Sequence, residues 1–287
     1  MSQLGFRLFQ LCKSNKSGSY STRASRLKVL NLVADQLTSG GYKLKDPSGL
    51  KPKHIEYLLQ KWQSEHLSAS TIKNRMAALR WTAQQIGKPN IIAKSNDVYM
   101  IPRRENKPEG KAKVLDHQKL AKITDVHTKY SLRLQEQFGL RREECIKFVV
   151  SYADQKDHIA LKASWAKGGR ARTVPITTES QRQLLNELKA FAGGQALIRS
   201  DRNYVEQLRV YEKQTQAAGI CKNHGLRHQY VRERYKALTG WECPANGGPH
   251  RKDLELVAKQ VDIEVRNQLT WELGHNRFSI TYTYLGS

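Results

Sequence analysis

Apolar residues recur at helical spacing along most of this chain. In RLKVLNLVADQL, Leu27, Leu30, Val33 and Leu37 share one face, and the GGY at 40–42 ends the run. KPKHIEYLLQKWQSEH sets Pro52 near a first turn and lines up Ile55, Leu58, Leu59 and Trp62. SASTIKNRMAALRWTAQQIGK opens on a serine cap, Ser68 or Ser70, and stops at Gly87 and Pro89. Its apolar stripe is Ile72, Met76, Leu79 and Ala83, and its other face carries Lys73, Arg75 and Arg80. These runs predict a helical domain over residues 22–100. IPRRENKPEGKAK, residues 101–113, holds two prolines, a glycine and five basic residues without apolar periodicity, and reads as a basic linker.

A second domain is expected over residues 114–287. Asp116 can cap a helix running through Ile123, and a further helix is expected over about 131–148. HIALKASWA then alternates, with Ile159, Leu161, Ala163 and Trp165 on one face, KGGR turns the chain, and RTVPI returns. Thr178 caps a helix in TESQRQLLNELKAF, and another spans about 201 to Gly219, a C′ glycine. Helices are expected again at about 225–238, 251–272 and 277–285. The fold class is therefore mainly α with one small antiparallel sheet (α+β).

The net charge is +23, and it is not confined to a tail. Residues 1–110 hold 19 basic and 7 acidic residues (+12), and residues 111–287 hold 30 and 19 (+11). A polyanion that reaches both halves, above all nucleic acid, is the partner this implies, against a merely solvated basic surface. Residues 1–21 have no acidic residue and no apolar stretch of signal-peptide type, and read as a disordered basic arm lying on phosphates. Their Arg and Ser content also resembles a transit peptide. Cys12, Cys145, Cys221 and Cys243 are few and unevenly spaced, as free thiols of a reducing compartment are. No apolar run approaches membrane-spanning length.

Four short segments could carry chemistry. FGLRREE places Arg141 and Arg142 at a helix entrance, and WAKGGRARTVPI puts Lys167 at the mouth of the hairpin. HGLRH starts a helix with His224, Arg227 and His228, and LGHNRFSITYTY sets His275 nine residues before Tyr284. Each has an ordinary reading: a surface ion pair, a solvated lysine, a structural histidine, a packed tyrosine. Taken together they meet the needs of phosphodiester exchange. Two guanidiniums can clamp the non-bridging oxygens and stabilise the added charge of the transition state. A phenol can attack to give a phosphotyrosine. A lysine can protonate the leaving 5′-oxygen, and imidazoles can orient the phosphate or accept the phenol proton, as a base such as His224 would.

These segments, in this order, resemble the boxes of the tyrosine recombinases, or phage-type integrases. The family's Thr-Gly-Leu-Arg-x-x-Glu box is matched by FGLRREE, with Phe138 in place of threonine. Its Gly-Lys-Gly-x-Lys-x-Arg-x-x-Pro hairpin is matched by AKGGRARTVP, which puts the catalytic lysine at Lys167. His-x-Leu-Arg-His is matched in full at 224–228, and Leu-Gly-His with tyrosine at the ninth position is matched by Leu273, Gly274, His275 and Tyr284. The resemblance covers residues 22–285 and implies a helical core-binding domain followed by a catalytic domain. It implies Arg141, Lys167, His224, Arg227, His275 and Tyr284 as the catalytic set, and a covalent 3′-phosphotyrosine with neither metal nor other cofactor. The implied partner is double-stranded DNA carrying specific recombination sites, bound as a homo-tetramer on paired sites with accessory DNA-bending or directionality factors. The work would be integration or excision of a mobile element in a bacterial cytoplasm, at the nucleoid. Lys73, Arg75, Arg80, Arg103, Arg104, Arg170 and Arg172 are the expected DNA contacts.

Two departures stand out. Many members continue past the tyrosine with a helix that docks on a neighbouring protomer, whereas only Leu285, Gly286 and Ser287 follow here, so either another element couples protomers or the chain is shortened. Arg227 and His275 are 48 residues apart, and the extra length includes the Gly/Pro-rich stretch 239–250, an interaction loop or a plain insertion. Tyr282 is the competing nucleophile, and a Phe278–Tyr282 stripe would assign it to the core. Rival readings are a zinc-stabilised DNA-binding protein using Cys221, His224, Cys243 and His250, a DNA-binding regulator without catalysis, and a type IB topoisomerase or resolvase.

Overall fold

The computed structural model describes residues 2–103 and 108–287. The chain divides into two units, Met1–Glu105 and Asn106–Ser287, with the division inside the expected linker. Among the described residues no helix is long and apolar enough to cross a membrane.

The first unit is built from α1 (Gln3–Ser14), α2 (Tyr20–Ser39), α3 (Pro52–Ser64) and α4 (Ala69–Gln85). The apolar stripes of α2, α3 and α4 meet in one core that includes Leu30, Val33, Leu58, Trp62, Met76 and Leu79. The expected disordered arm is corrected by α1. Ser2 caps that helix by accepting from the Gly5 N–H, and Leu4 and Leu8 enter the same core. Reading the segment by charge passed over an apolar pair at i, i+4 behind a serine cap, which is itself a helix signal.

The second unit runs α5 (His117–Ala121), α6 (Val126–Phe138), α7 (Arg142–Ile146), α8 (Val150–Ala153), β1 (His158–Leu161), β2 (Arg172–Pro175), α9 (Glu179–Ala192), α10 (Tyr204–Ala217), α11 (His224–Thr239), α12 (Leu256–Glu272) and α13 (Tyr282–Leu285). β1 and β2 pair antiparallel, with Ile159 opposite Val174. The core gathers Phe138, Leu140, Ile159, Leu161, Val174, Leu184, Leu188, Leu269 and Leu273, and Tyr284 and Leu285 close it.

The expected helix over 131–148 begins earlier and breaks in its middle. Asp125 caps α6 at the Thr128 N–H (2.8 Å), and Gly139 ends it at φ 58°. A Cβ at Gly139 would lie 2.4 Å from the Tyr230 ring, so this left-handed corner admits only glycine. The first strand also ends sooner than its alternation suggests. Ala163–Trp165 form a 3-10 turn that exposes Ala163 and still buries Trp165. The expected helix over 277–285 is a 3-10 turn, Phe278–Ile280, followed by the single turn of α13.

Candidate active site

Apart from the hairpin, each of the three boxes is a place where a helix ends or begins. At the first, Gly139 turns the chain out of α6 and Arg141 starts α7. Glu144, three residues on, reaches back to the Arg141 N–H (2.7 Å), as in a capping box, and also binds Arg141 Nη1 (2.8 Å). Arg142 faces elsewhere and pairs with Glu212.

At the second box, His224 is the first residue of α11, and Arg227 and His228 follow one turn later. Gly225 lies against the chain at Lys113, whose N–H donates to the Gly225 carbonyl (3.0 Å); a Cβ there would meet Lys113 Cγ at 2.4 Å. Arg227 is 1% exposed. It donates to the Gly139 carbonyl (2.5 Å), the Leu273 carbonyl (2.6 Å) and the Tyr284 hydroxyl (3.4 Å).

The third box is the C-terminus of α12. Gly274 adopts φ 66°, and its N–H and that of His275 donate back to the Trp271 and Thr270 carbonyls. The last carbonyls of a helix lack helical partners and carry its negative end. Here arginines supply them: Arg172 Nε donates to the Glu272 carbonyl (2.8 Å), and Arg141 Nη2 (3.1 Å) and Arg227 Nη2 (2.6 Å) both donate to the Leu273 carbonyl. One shared carbonyl thus holds the Arg141 and Arg227 guanidiniums side by side.

Tyr284 stands against this pair. It is 4% exposed, and its hydroxyl lies 3.4 Å from both Arg227 Nε and His275 Nε2. The His228 ring packs on the Tyr284 ring with centroids 4.5 Å apart, while the His224 and His275 rings lie at 6.2 and 6.1 Å. Among the histidines, it is His275 and not His224 whose ring nitrogen lies within hydrogen-bond distance of the phenol. Tyr282 packs edge-on against Phe278, and its hydroxyl accepts from Arg251 Nη1 (2.9 Å), away from this cluster. It is half-buried, whereas Tyr284 is the buried ring. Lys167 is exposed on the turn between β1 and β2, where Gly168 and Gly169 have positive φ.

The electrostatics follow from this crowding of cations. Burial, partly offset by neighbouring Tyr284, lowers Arg227 to about 10. Burial first, then Arg227, Arg141 and Arg172, push His275 down to about 3. Burial, then His224 and Arg232, do the same to His228. His224, at the rim, is lowered by partial desolvation and then by Arg227, Arg141 and Lys167. The imidazoles are therefore neutral at pH 7, and His275 can accept a proton. Burial would raise Glu144, yet Arg172 above all, followed by Arg227 and Arg141, brings it to about 2. An anion entering the cluster meets unbalanced positive charge, because the direct partners of Arg227 are carbonyls and a phenol.

Several expected DNA contacts sit differently. Arg172 is an interior residue: its Nη1 and Nη2 bind Glu144 at 2.8 and 2.7 Å, and its side chain is 5% exposed. The hairpin pattern marked it as a surface cation because Glu144, its partner, is 28 residues away. Arg80 is turned inward onto the Ala93 carbonyl (2.9 Å) and Asn96 (3.0 Å), and Arg75 lies over the Trp62 ring at 5.2 Å. Arg103 and Arg170 are exposed, Lys73 is half-buried, and Arg104 lies outside the described residues. Sequence reasoning missed Glu144 as the carboxylate that aims Arg141; its place three residues after a helix start was the available signal. The zinc reading fails on position. Cys243 is buried in the core, Cys221 is exposed, and among the described residues no group of three or more His, Cys, Asp or Glu could hold a metal.

The fold is similar to that of DNA-bound recombinases. A structure of the Tn1549 transposon integrase in complex with transposon right end DNA matches at TM-score 0.57 and 14% identity, over 99% of this chain and 94% of that one. The XerH site-specific recombinase on a palindromic difH substrate, a post-cleavage complex, matches at 0.58 and 14%, over 98% and 80%. A lambda integrase dimer bound to a COC′ core site matches at 0.59 and 15%, over 90% and 77%. A search of curated protein sequences finds no match. The family model for the N-terminal part of phage integrases matches residues 1–92, and the integrase model matches residues 103–233. Between them these two models cover most of the chain, and it belongs to the phage-type integrases, the tyrosine recombinases.

Proposed function

We propose that this chain is a site-specific DNA recombinase whose nucleophile is Tyr284. The observation that carries the reading is the buried Tyr284 hydroxyl, 3.4 Å from both Arg227 Nε and His275 Nε2. A phosphate placed on the Arg141–Arg227 pair would have its non-bridging oxygens on guanidinium donors that strengthen as charge builds up. The phenolic oxygen attacks phosphorus, its proton passes to His275 Nε2, and the bond to O5′ breaks. Lys167 Nζ gives O5′ its proton, leaving a free 5′-hydroxyl and a 3′-phosphotyrosine. Attack by a 5′-hydroxyl from a second DNA runs the step in reverse and joins the new partners. The phosphotyrosine keeps the energy of the phosphodiester, so the reaction calls for no ATP, and the guanidiniums supply the positive charge without a metal.

His275 is a weak base in the empty site because arginines surround it. A bound phosphate offsets their charge and raises its basicity when the proton must move. DNA as substrate is supported by the net charge of +23 and by the DNA carried in the similar structures. In this reading protomers act as a tetramer on paired sites of a mobile element, with accessory DNA-bending factors. The test is a suicide substrate that loses its 5′-end after cleavage. Tyr284→Phe should form no covalent adduct and keep its DNA affinity, and Tyr282→Phe should form the adduct. An adduct that persists in Tyr284→Phe and disappears in Tyr282→Phe exchanges the two roles, and one that persists in both overturns the tyrosine mechanism.

A further inference from the structure

Helix α13 is a single turn, too short to hold its own shape. Its closing carbonyls have no helical successor to donate to them. Two interior arginines fill that place. Arg232 Nε donates to the Tyr284 carbonyl (3.1 Å), and Arg266 Nη1 donates to the Gly286 carbonyl (2.9 Å). Arg232 is 4% exposed and Arg266 0%.

Both are tied into buried networks. Arg266 Nε binds Asp262 Oδ1 (2.7 Å), which also accepts from the Tyr235 hydroxyl (2.7 Å). Arg251 lies 3.7 Å from Asp262 Oδ2 and donates to the Tyr282 hydroxyl. Arg232 further donates to Asn246 Oδ1 (2.7 Å) and the Pro108 carbonyl (2.6 Å). The stretch 239–250 is thus no free loop: its Pro244–Asn246 turn covers Gly286, where a Cβ would lie 3.0 Å from Ala245 N and 3.1 Å from Pro244 Cβ. Burying two guanidiniums to hold two carbonyls is a costly way merely to pack a chain segment, since apolar side chains of like volume commonly serve stability as well or better. What the guanidiniums add is direction.

We propose that Arg232 and Arg266 are positioning residues for the nucleophile, fixing the backbone on both sides of Leu285 so that the Tyr284 hydroxyl meets Arg227 and His275 of its own protomer. The proposal rests on the reading of Tyr284 as nucleophile. A displacement of about 1 Å commonly costs on the order of 10² in rate. Arg232→Met and Arg266→Met should therefore slow single-turnover adduct formation by roughly 10- to 100-fold, with DNA affinity unchanged.

Hydrogen peroxide separates positioning from general damage. In a Tyr284→Phe background, peroxide supplies the attacking oxygen and needs no aligned tyrosine. Adding Arg232→Met or Arg266→Met there should leave peroxide-driven cleavage unchanged. Adduct formation at the wild-type rate, or a peroxide rate that falls in step with the tyrosine rate, overturns the proposal. Should Arg266→Met not fold, Arg266→Lys carries the same comparison, keeping the charge while losing the forked reach to Gly286. If the parent protein forms no adduct at all, the reading of Tyr284 fails, and amide hydrogen exchange over residues 283–286 decides the brace. Faster exchange in the variants supports it, and equal exchange overturns it.

Discussion

Replacing Glu144 with glutamine tests whether the arginine cluster depends on one buried carboxylate. The side chain is 0% exposed and accepts from the Arg141 N–H, Arg141 Nη1, Arg172 Nη1 and Arg172 Nη2 at 2.7–2.8 Å. Glutamine keeps the shape, removes the charge, and turns an amide donor toward guanidinium donors. Removing one partner of a buried ion pair costs about 3–5 kcal/mol. The titration of Glu144 gives an independent figure. Its folded pKa of about 2 lies below the ordinary 4.5, and about 1.4 kcal/mol for each pH unit makes roughly 3 kcal/mol of stability.

The sign is that of a depressed carboxylate. The stability is present above pH 4.5 and is lost as the pH falls from there through about 2. With a urea dependence of about 2 kcal/mol per molar, Glu144→Gln should lower the midpoint of the second unit by about 1.5 M at pH 7. The gap from wild type should hold down to about pH 4.5 and close below it. Cleavage should fall as well, since Arg141 loses the group that aims it. A midpoint within about 0.3 M of wild type, or a gap that persists unchanged at pH 3, would refute the reasoning.

Other outcomes follow from the same geometry. Lys167→Ala should leave stability within about 0.5 kcal/mol, as exposed positions do, yet abolish cleavage of an ordinary phosphodiester. A 5′-thio leaving group, which needs no proton, should restore it, and a failed rescue removes Lys167 from the acid role. His228 and His275 are both held near 3, so their folded values lie below the ordinary 6.5. The unfolded chain then takes up protons first, and the melting temperature should fall as the pH drops from 7 to 5, less so with DNA bound; a flat profile contradicts the burial argument. Log DNA affinity should fall linearly with log salt, by about 0.9 for each phosphate contact neutralised, and an affinity indifferent to salt would exclude a phosphate-led interface.

The boxes could be read from the sequence because each is local. Glycine, arginine and histidine fall where a helix ends, and the turn demands the glycine whatever surrounds it. Gly139 at φ 58° and Gly274 at φ 66° are such positions. The direction of a charged side chain is not local. Arg172, Arg80 and Arg232 count equally toward +23, but the first two bind Glu144 and the Ala93 carbonyl, and the third binds the Tyr284 carbonyl. A net charge sums cations without saying which ones face solvent. The same limit applies to the histidines. His224 and His275 are equally plausible by residue type, and only the left-handed turn at Gly274, which folds His275 back across the end of α12, brings its Nε2 within 3.4 Å of the Tyr284 hydroxyl. That turn is also where Arg141 and Arg227 share the Leu273 carbonyl. His275, Arg141 and Arg227 therefore meet at one helix terminus, and in the proposed mechanism any change that unwinds the last turn of α12 should cost proton transfer and charge stabilisation together.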